Sequence, residues 1–461
     1  MQKTQHAHFI GIGGSGMNGI AMIMLGLGFK VSGSDLKPSA VTERLEALGA
    51  TFYTGHSRNN LGNADLVVAS TAIPLDNEEL AEAKKRGLKV VHRSEMLAWL
   101  MNRQKGIAVA GAHGKTTTTS MLALVFEKNN LEPTIIIGGE LADIGGNAKL
   151  GRGEYLIAEA DESDGSFLKL EPLIEVITNI EDDHLDYYKS VDKIINAFRK
   201  FLAKVPENGL AVVCLDDPKL AELLEGFDRP RKTYALDNPE ADYIVSNIQL
   251  DNNVTSGDIY YQGSYLGTLK LKVPGRHNLS NALAVVAAAR FVGLSFDRIA
   301  AVLENFSGAG RRFQLTGEVG GIKVVDDYAH HPTEIKATLK AAVQVNTGRV
   351  ISVFQPHRYT RTSILGERFG EAFTDADIVI VSELYSAGEQ PIEGVSAKKI
   401  ISAIERHDGR EVIFLPTIRE IVDFLVRTVR PGDMVITMGA GDIWNAGVEL
   451  VNRLKERQDI G

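Results

Sequence analysis

In the run "GIAVAGAHGKTTTTSML", Gly106 to Leu122, an ammonium and a row of hydroxyls follow two glycines. That combination suits a polyphosphate. Lys115 offers a point charge to terminal phosphates and the Thr116 hydroxyl is placed to ligate Mg²⁺, while Gly111, Ala112, His113, Gly114 and Thr117 bring backbone N–H groups. The strict G-x-x-x-x-G-K-[ST] pattern wants its first glycine where Val109 stands, so this loop is a shorter form. Its flanks fit the same chemistry. Ile107 to Ala110 read as a buried strand, and Met121, Leu122, Val125 and Phe126 have helical spacing. A strand feeding a helix through a glycine turn aims free N–H groups and the positive dipole end at an anion.

A second loop, "GIGGSGMNG" from Gly11 to Gly19, follows the strand "HFI" and opens a helix. Gly11, Gly13, Gly14, Ser15 and Gly16 allow close approach of a diphosphate, and Asp35 ends the next strand where dinucleotide folds place a ribose acceptor. Ser70, ending "LVVAS", joins them as a candidate contact to a nucleotide-carried substrate. Alone, this loop reads as NAD binding, yet a UDP-sugar needs the same cradle. A dehydrogenase has no use for a Lys-Thr phosphate clamp further along. An enzyme joining a nucleotide-carried substrate to something else needs both loops.

Acids cluster in "LIAEADESDGSF" at a strand end: Glu159, Asp161, Glu162 and Asp164, of which Glu159 is the preferred Mg²⁺ ligand. "TNIEDDHLDYY" sets Asn179 and His184 after another strand. Asn278 and Asn281 open an apolar helix, Asn278 as a cap or at the nucleotide. Arg311 and Arg312 sit in a glycine-flanked hinge suited to gripping phosphate. Asp326, Asp327, Tyr328, His330 and His331 crowd one post-strand loop, and His357, Arg358 and Arg361 another.

Strand-like runs alternating with helical segments must position these groups, which predicts parallel α/β domains. At 461 residues, two to four domains are expected. Breaks fall near residue 105 and at "SGAGRRFQ", and "DNNVTSGDIYYQGSYLGTLKLKVPG" alternates like a small antiparallel extension of the middle domain. The net charge is −9 with no run of lysines or arginines, which argues against nucleic acid or an anionic membrane surface as partner. Cys214, the single cysteine, sits in the apolar run "LAVVCL". With no apolar stretch of spanning length and no signal-peptide pattern, a soluble cytoplasmic protein is expected.

Together, "HFIGIGGSGMNGIA", "GAHGKTTTT", "EADESDGSF", "NIEDDHLD", "HNLSNALA", "GRRFQ", "DDYAHHPTEI" and "PHRYTRT" resemble, in order and across the chain, the Mur ligases of bacterial cell-wall synthesis. The resemblance is greatest to members that add L-alanine to UDP-N-acetylmuramate, and those ligases use the shorter glycine–lysine loop. It implies three domains: a Rossmann-like one over 1–105 for UDP-N-acetylmuramate, a central P-loop ATPase-type sheet over 106–315, and a Rossmann-like one over 316–461 for the amino acid. Carried over by position, Lys115 would meet the terminal phosphates of ATP, and Thr116, Glu159 and His184 would surround Mg²⁺. Asn281 would meet the adenine side, Arg312 the ATP phosphates, and Tyr328, His330, Arg358 and Arg361 would line the acceptor region. Ala112 replaces the usual threonine, which backbone cradling tolerates. Arg199 and Lys200 stand where several family members carry a carbamoylated lysine, and no modification is assigned to them. The implied chemistry is an acyl phosphate made from ATP and captured by the alanine amine, with His330 as base. The rivals are the ligase that recycles a whole tripeptide onto the same UDP-muramate and, from another class, an NAD-dependent oxidoreductase.

Overall fold

A computed structural model describes residues 5–251 and 254–460. The chain forms two compact units. The first comprises Met1–Ser246, Ile259–Gly267 and Ser280–Leu303; the second comprises Asn247–Asp258, Thr268–Leu279 and Glu304–Gly461.

The first sheet contains β1 (His6–Ile10), β2 (Lys30–Asp35), β3 (Thr51–Thr54), β4 (Leu66–Ala69) and β5 (Lys89–His92), in the order β3-β2-β1-β4-β5. All four pairings are parallel. The order reverses between β1 and β4, and a ligand crevice forms outside the carboxyl ends of strands at such a point.

The second sheet is built on β6 (Lys105–Ala110), β7 (Thr134–Leu141), β8 (Gly146–Lys149), β9 (Tyr155–Glu159), β10 (Ile174–Ile177), β11 (Leu210–Cys214) and β12 (Arg231–Ala235). It continues through β13 (Tyr243–Asp251), β14 (Val254–Tyr261) and β15 (Ser264–Leu271), in the order β15-β14-β13-β12-β11-β10-β6-β9-β7-β8. Its middle is parallel, with β6 between β10 and β9. Strands β10 and β11 are buried along their length, as continuous apolar runs covered on both faces should be. Antiparallel β8 on the far edge was not anticipated, because "GGNAKLG" has too little hydrophobic alternation to read as a strand. It carries Asn147, whose Nδ2 donates to Asn18 Oδ1 at 2.6 Å and so ties the helix Ser15–Gly26 to this edge.

The helix Lys115–Lys128 shows helical spacing in sequence, yet every residue from Thr116 to Phe126 is buried. A helix covered on all sides belongs to the centre of its domain. Its N-terminus is therefore held rigidly at the carboxyl end of β6.

In the second unit β16 (Gln314–Val319), β17 (Ile322–Asp327), β18 (Val350–Phe354), β19 (Ile378–Val381), β20 (Ile413–Phe414) and β21 (Met434–Met438) run in the order β16-β17-β21-β18-β19-β20. Only β16 is antiparallel to its neighbour. Along β21 the side chains alternate between two cores: Met434, Ile436 and Met438 pack in one and Val435 in the other. Among the described residues no helix is long and apolar enough to cross a membrane.

Candidate functional site

The phosphate loop between β6 and the helix Lys115–Lys128 is shaped by two glycines and pinned by the end of β10. Gly111 has φ +134°, and a Cβ there would lie 2.1 Å from Thr178 Oγ1. Gly114 has φ +82°, and its Cβ would lie 2.5 Å from Asn281 Oδ1. Neither position tolerates a side chain. Thr178 Oγ1 donates to the His113 carbonyl at 2.5 Å, His113 N donates to Asn179 Oδ1 at 2.8 Å, and Ala112 N donates to the Asn179 carbonyl at 3.1 Å. His113 Nε2 also lies 3.4 Å from Glu181 Oε2. The fixed turn explains why a shortened loop can still cradle phosphate. Gly114→Ala should keep the fold and lose nucleotide affinity, because strain of about 1–3 kcal/mol adds to the clash with Asn281. Calorimetric titration with a non-hydrolysable ATP analogue checks this, and wild-type affinity would contradict it.

Lys115 Nζ donates to Gly111 O at 2.5 Å, to Ala112 O at 3.1 Å and to Glu162 Oε1 at 2.8 Å. Burial works against its charge, but the Glu162 carboxylate keeps its pKa above the ordinary lysine value. His184, with φ +58° just before the short helix Leu185–Tyr188, brings Nε2 to 3.7 Å from the same Glu162 oxygen. The other oxygen, Glu162 Oε2, is buried without a hydrogen-bond partner among the described residues. Glu159, at the end of β9, accepts from Gly138 N at 2.7 Å. Thr116 is buried at the head of its helix beside Thr117. The structure thus gathers Lys115, Glu162 and His184 directly, with Glu159 at the neighbouring strand end. A buried carboxylate with one unpaired oxygen and an imidazole near the other offers donors that suit a hard divalent cation. Asn281, assigned by resemblance to the adenine side, lies against the turn at Gly114.

The glycine loop of the first sheet is anchored through its backbone. Gly11 N and Ile12 N both donate to the Ser34 carbonyl, at 2.8 and 3.0 Å, and Gly13 N donates to Asp35 Oδ2 at 2.9 Å. Asp35 therefore shapes this loop. Gly14 caps the helix Ser15–Gly26 without a side-chain hydrogen bond, Gly16 lies in its first turn, and Ser70 follows β4 on the same sheet edge.

In the second unit, the groups predicted to act together share the carboxyl edge of the third sheet. His330 Nδ1 lies 2.9 Å from the Tyr328 carbonyl. A carbonyl only accepts, so Nδ1 carries the proton and in the neutral ring Nε2 holds the lone pair. The His330 and His357 rings are 6.0 Å apart, and His357 stacks on Tyr385 at 5.8 Å and 10°. Arg361 Nη1 donates to His357 Nδ1 at 3.2 Å. Burial and the neighbouring His330, Arg361, Arg358 and Arg311 push His357 down to about 3, so it stays neutral and can accept that bond. Arg358 takes φ +70° and its Nε is buried without a partner among the described residues. His331 caps the helix Pro332–Val345 in a capping box with Glu334. Asn278 Nδ2 donates to the Pro274 carbonyl at 2.7 Å. Arg311 is tied to Asp326 Oδ2 at 2.9 Å, Gly439 O at 2.8 Å and Gly441 O at 3.3 Å, and its guanidinium lies over Tyr328, which makes it a brace within this unit. Arg312 stacks over the same ring at 5.2 Å and reaches Glu334 Oε1 at 3.9 Å. Asp327 takes N–H bonds from Phe313 and Ala329. Burial lifts its pKa to about 6.

Three family descriptions match this chain: "Mur ligase family, catalytic domain" over 6–105, "Mur ligase middle domain" over 109–289, and "Mur ligase, glutamate ligase domain" over 311–441. The UDP-N-acetylmuramate--L-alanine ligase of Pelotomaculum thermopropionicum is 76% identical over 461 residues, covering 100% of both chains. The chain belongs to the Mur ligase family. A crystal structure of UDP-N-acetylmuramate-alanine ligase from Thermotoga maritima superposes with a TM-score of 0.85 at 30% identity, over 98% of this chain and 99% of that one. A murein peptide ligase from Psychrobacter arcticus gives 0.74 at 25% identity, over 98% of each chain.

One group of residues in this Mur ligase escaped the reading of its sequence. Glu79, in the helix Glu78–Lys85, is fully buried under the first sheet. Its Oε2 takes the Ser34 hydroxyl at 2.6 Å and lies 3.3 Å from His8 Nε2, while Oε1 takes Asn60 Nδ2 at 2.6 Å and Ser57 N at 3.1 Å. Burial acts to raise Glu79, but hydrogen bonds from His8, Ser34 and Asn60 outweigh it and hold the carboxyl below its ordinary value. An ionised carboxylate only accepts, which in a neutral His8 ring fixes the remaining protons. His8 carries its proton on Nε2, Ser32 donates to His8 Nδ1 at 2.8 Å, and His6 Nε2 donates to Ser32 Oγ at 2.8 Å. With the Ser34 proton given to Glu79, His56 Nδ1 donates to Ser34 Oγ at 2.9 Å. Since the Ser34 carbonyl anchors the glycine loop, this network supports the loop from below. A signal was present in sequence: His6 and His8, like Ser32 and Ser34, alternate along buried strands and so face one side.

Proposed function

We propose that this Mur ligase joins L-alanine to the carboxylate of UDP-N-acetylmuramate in peptidoglycan precursor synthesis, using ATP and passing through an acyl phosphate. The observation that carries this reading is that one compact unit holds both a lysine–threonine phosphate loop and a separate glycine loop, in a chain 76% identical throughout to an alanine-adding relative. Three functional domains, over 1–105, 106–315 and 316–461, divide the work between the UDP-substrate, ATP and the amino acid. A cytoplasmic setting accords with substrates of this kind.

ATP sits on the N–H groups of Gly111 to Thr117, with Lys115 leaving Glu162 for the terminal phosphates. A carboxylate oxygen of the muramate attacks the γ-phosphorus and ADP departs. Lys115 and the helix N-terminus hold the negative charge that builds during transfer. Thr116, Glu159 and His184, with Glu162 beside them, fit Mg²⁺, which when bound screens the phosphate oxygens. Arg358 and Arg361 hold the carboxylate of alanine, and Tyr328 lines the pocket. His330 Nε2 takes the ammonium proton, so that the free amine attacks the acyl carbon and phosphate leaves. Asn281 and Arg312 complete the ATP contacts, and Gly11, Gly13, Gly14, Ser15, Gly16, Asp35 and Ser70 those to the UDP-substrate. ADP release in the presence of UDP-N-acetylmuramate, with amino acids added singly, tests the assignment: alanine should drive turnover. Release driven by a tripeptide would favour the recycling reaction, and a nicotinamide absorbance change without ATP would favour an oxidoreductase.

Glu159→Gln should raise the Mg²⁺ needed for half-maximal activity by about 10–100-fold with little change in nucleotide affinity. Mg²⁺ titration of the rate, beside calorimetry of nucleotide binding, measures both. Wild-type Mg²⁺ dependence would remove Glu159 from the metal set and leave Glu162 as the carboxylate to test in the same way.

A further inference from the structure

Arg93 opens the helix Arg93–Met101 directly after β5, on the same sheet edge as the glycine loop and Ser70. Its guanidinium lies against the loop. A Cβ built on Gly16 would meet Arg93 Nη1 at 2.9 Å and Cδ and Cζ at 3.3 Å, so a glycine at 16 is what lets this cation reach the first turn of the helix Ser15–Gly26. That helix has no side-chain cap and no acid in its first turn. The positive end of a helix and a guanidinium thus converge on one point, an arrangement that repels itself unless an anion lies between them.

In this structure the compensating anion lies to one side. Arg93 Nη2 donates to Asp161 Oδ2 at 2.5 Å, and the two side chains are 17% and 38% exposed, so the pair is open to exchange. Asp161 belongs to the acidic loop after β9, where its other oxygen is taken by Ser163 N at 3.0 Å. The same loop touches this sheet edge twice more: Thr71 Oγ1 donates to Asp164 Oδ2 at 3.3 Å, and His92 Nε2 lies 3.8 Å from it. The acidic loop therefore holds its position without the Arg93 contact. The glycine loop itself, Gly11 to Gly19, contains no lysine or arginine, so any side-chain cation for a doubly charged ligand there comes from elsewhere.

We propose that Arg93 is a binding residue for the diphosphate of the nucleotide-sugar substrate, exchanging Asp161 for two phosphate oxygens beside Gly16. The proposal rests on the UDP-N-acetylmuramate reading. A planar guanidinium suits the task because its fork donates to two oxygens at once. The substrate carboxylate is the other anion that could claim Arg93, and the position against the glycine loop favours the diphosphate.

Calorimetric titration of the full chain with UDP, UDP-N-acetylglucosamine and UDP-N-acetylmuramate separates the two, since only the last carries a carboxylate. Arg93→Ala should weaken all three by the same factor, about 10- to 100-fold, with Arg93→Lys in between and affinity for an ATP analogue unchanged. Asp161→Asn, which keeps Arg93 and removes its competitor, should bind UDP more tightly than the wild type, and it decides the matter if Arg93→Ala fails to fold. Unchanged UDP affinity in Arg93→Ala, a loss confined to UDP-N-acetylmuramate, or weaker UDP binding by Asp161→Asn would each overturn the proposal. Failure of the wild type to bind any uridine diphosphate would instead refute the substrate reading on which it rests.

Discussion

Lys115→Ala abolishes measurable turnover, a fall on the order of 10³-fold or more, while affinity for UDP-N-acetylmuramate stays within error of the wild type. The expectation follows from what surrounds the side chain. Lys115 is the ammonium at the head of a helix buried from Thr116 to Phe126, held by two loop carbonyls and Glu162, so water in its place cannot offer a fixed charge to the transferring phosphoryl group. Among the described residues, the glycine loop of the first sheet shares no hydrogen bond with it. Single-turnover ADP formation and calorimetry with each ligand are the measurements. Loss of both ligands from a folded variant would contradict the separation of the two sites.

The second large effect is on stability. Glu79→Ala removes the one carboxylate that satisfies His8, Ser34, Asn60 and Ser57 N beneath the first sheet. Breaking a buried charge network of this kind costs about 3–5 kcal/mol. A chain with two compact units does not melt as one two-state body, so hydrogen exchange of the β1 and β2 amides is the suitable readout. The sign of the pH dependence follows from the lowered pKa. The folded state binds the Glu79 proton less readily than the unfolded one, so its contribution is complete above the unfolded value of about 4.3 and disappears as pH falls through the lower folded value. The gap between wild type and variant should narrow on acidification below about pH 4. A constant gap down to pH 3 would show that Glu79 is not ionised in the fold.

Much of this architecture can be read from local signals. Apolar runs alternating with helical segments announced parallel α/β domains, though β3, β7, β8 and β12 did not stand out among them, and Gly111, Gly114 and Lys115 announced a phosphate loop because backbone conformation and charge are both local there. The partners of these groups are another matter. Lys115 meets Glu162 across 47 positions, Arg93 meets Asp161 across 68, and His8 meets Glu79 across 71. Such pairings depend on which strands lie side by side, and strand order is not a local property. Glu159 and Glu162 illustrate the point: both sit in "EADESD", and only the path of the chain after β9 turns Glu162 inward to Lys115 and His184. His331, one of the crowded polar residues after β17, also caps its helix, because a histidine before proline can accept the N–H at Thr333.

Everything proposed for Lys115, Thr116, Glu159 and His330 assumes that the muramate carboxylate, and not water, attacks ATP. Substrate carrying heavy oxygen in that carboxylate tests this directly. If an acyl phosphate forms and the alanine amine displaces phosphate from it, one labelled oxygen leaves with each phosphate, and labelled inorganic phosphate should accumulate in proportion to amide. Unlabelled phosphate from an alanine-dependent, amide-forming reaction would contradict the mechanism.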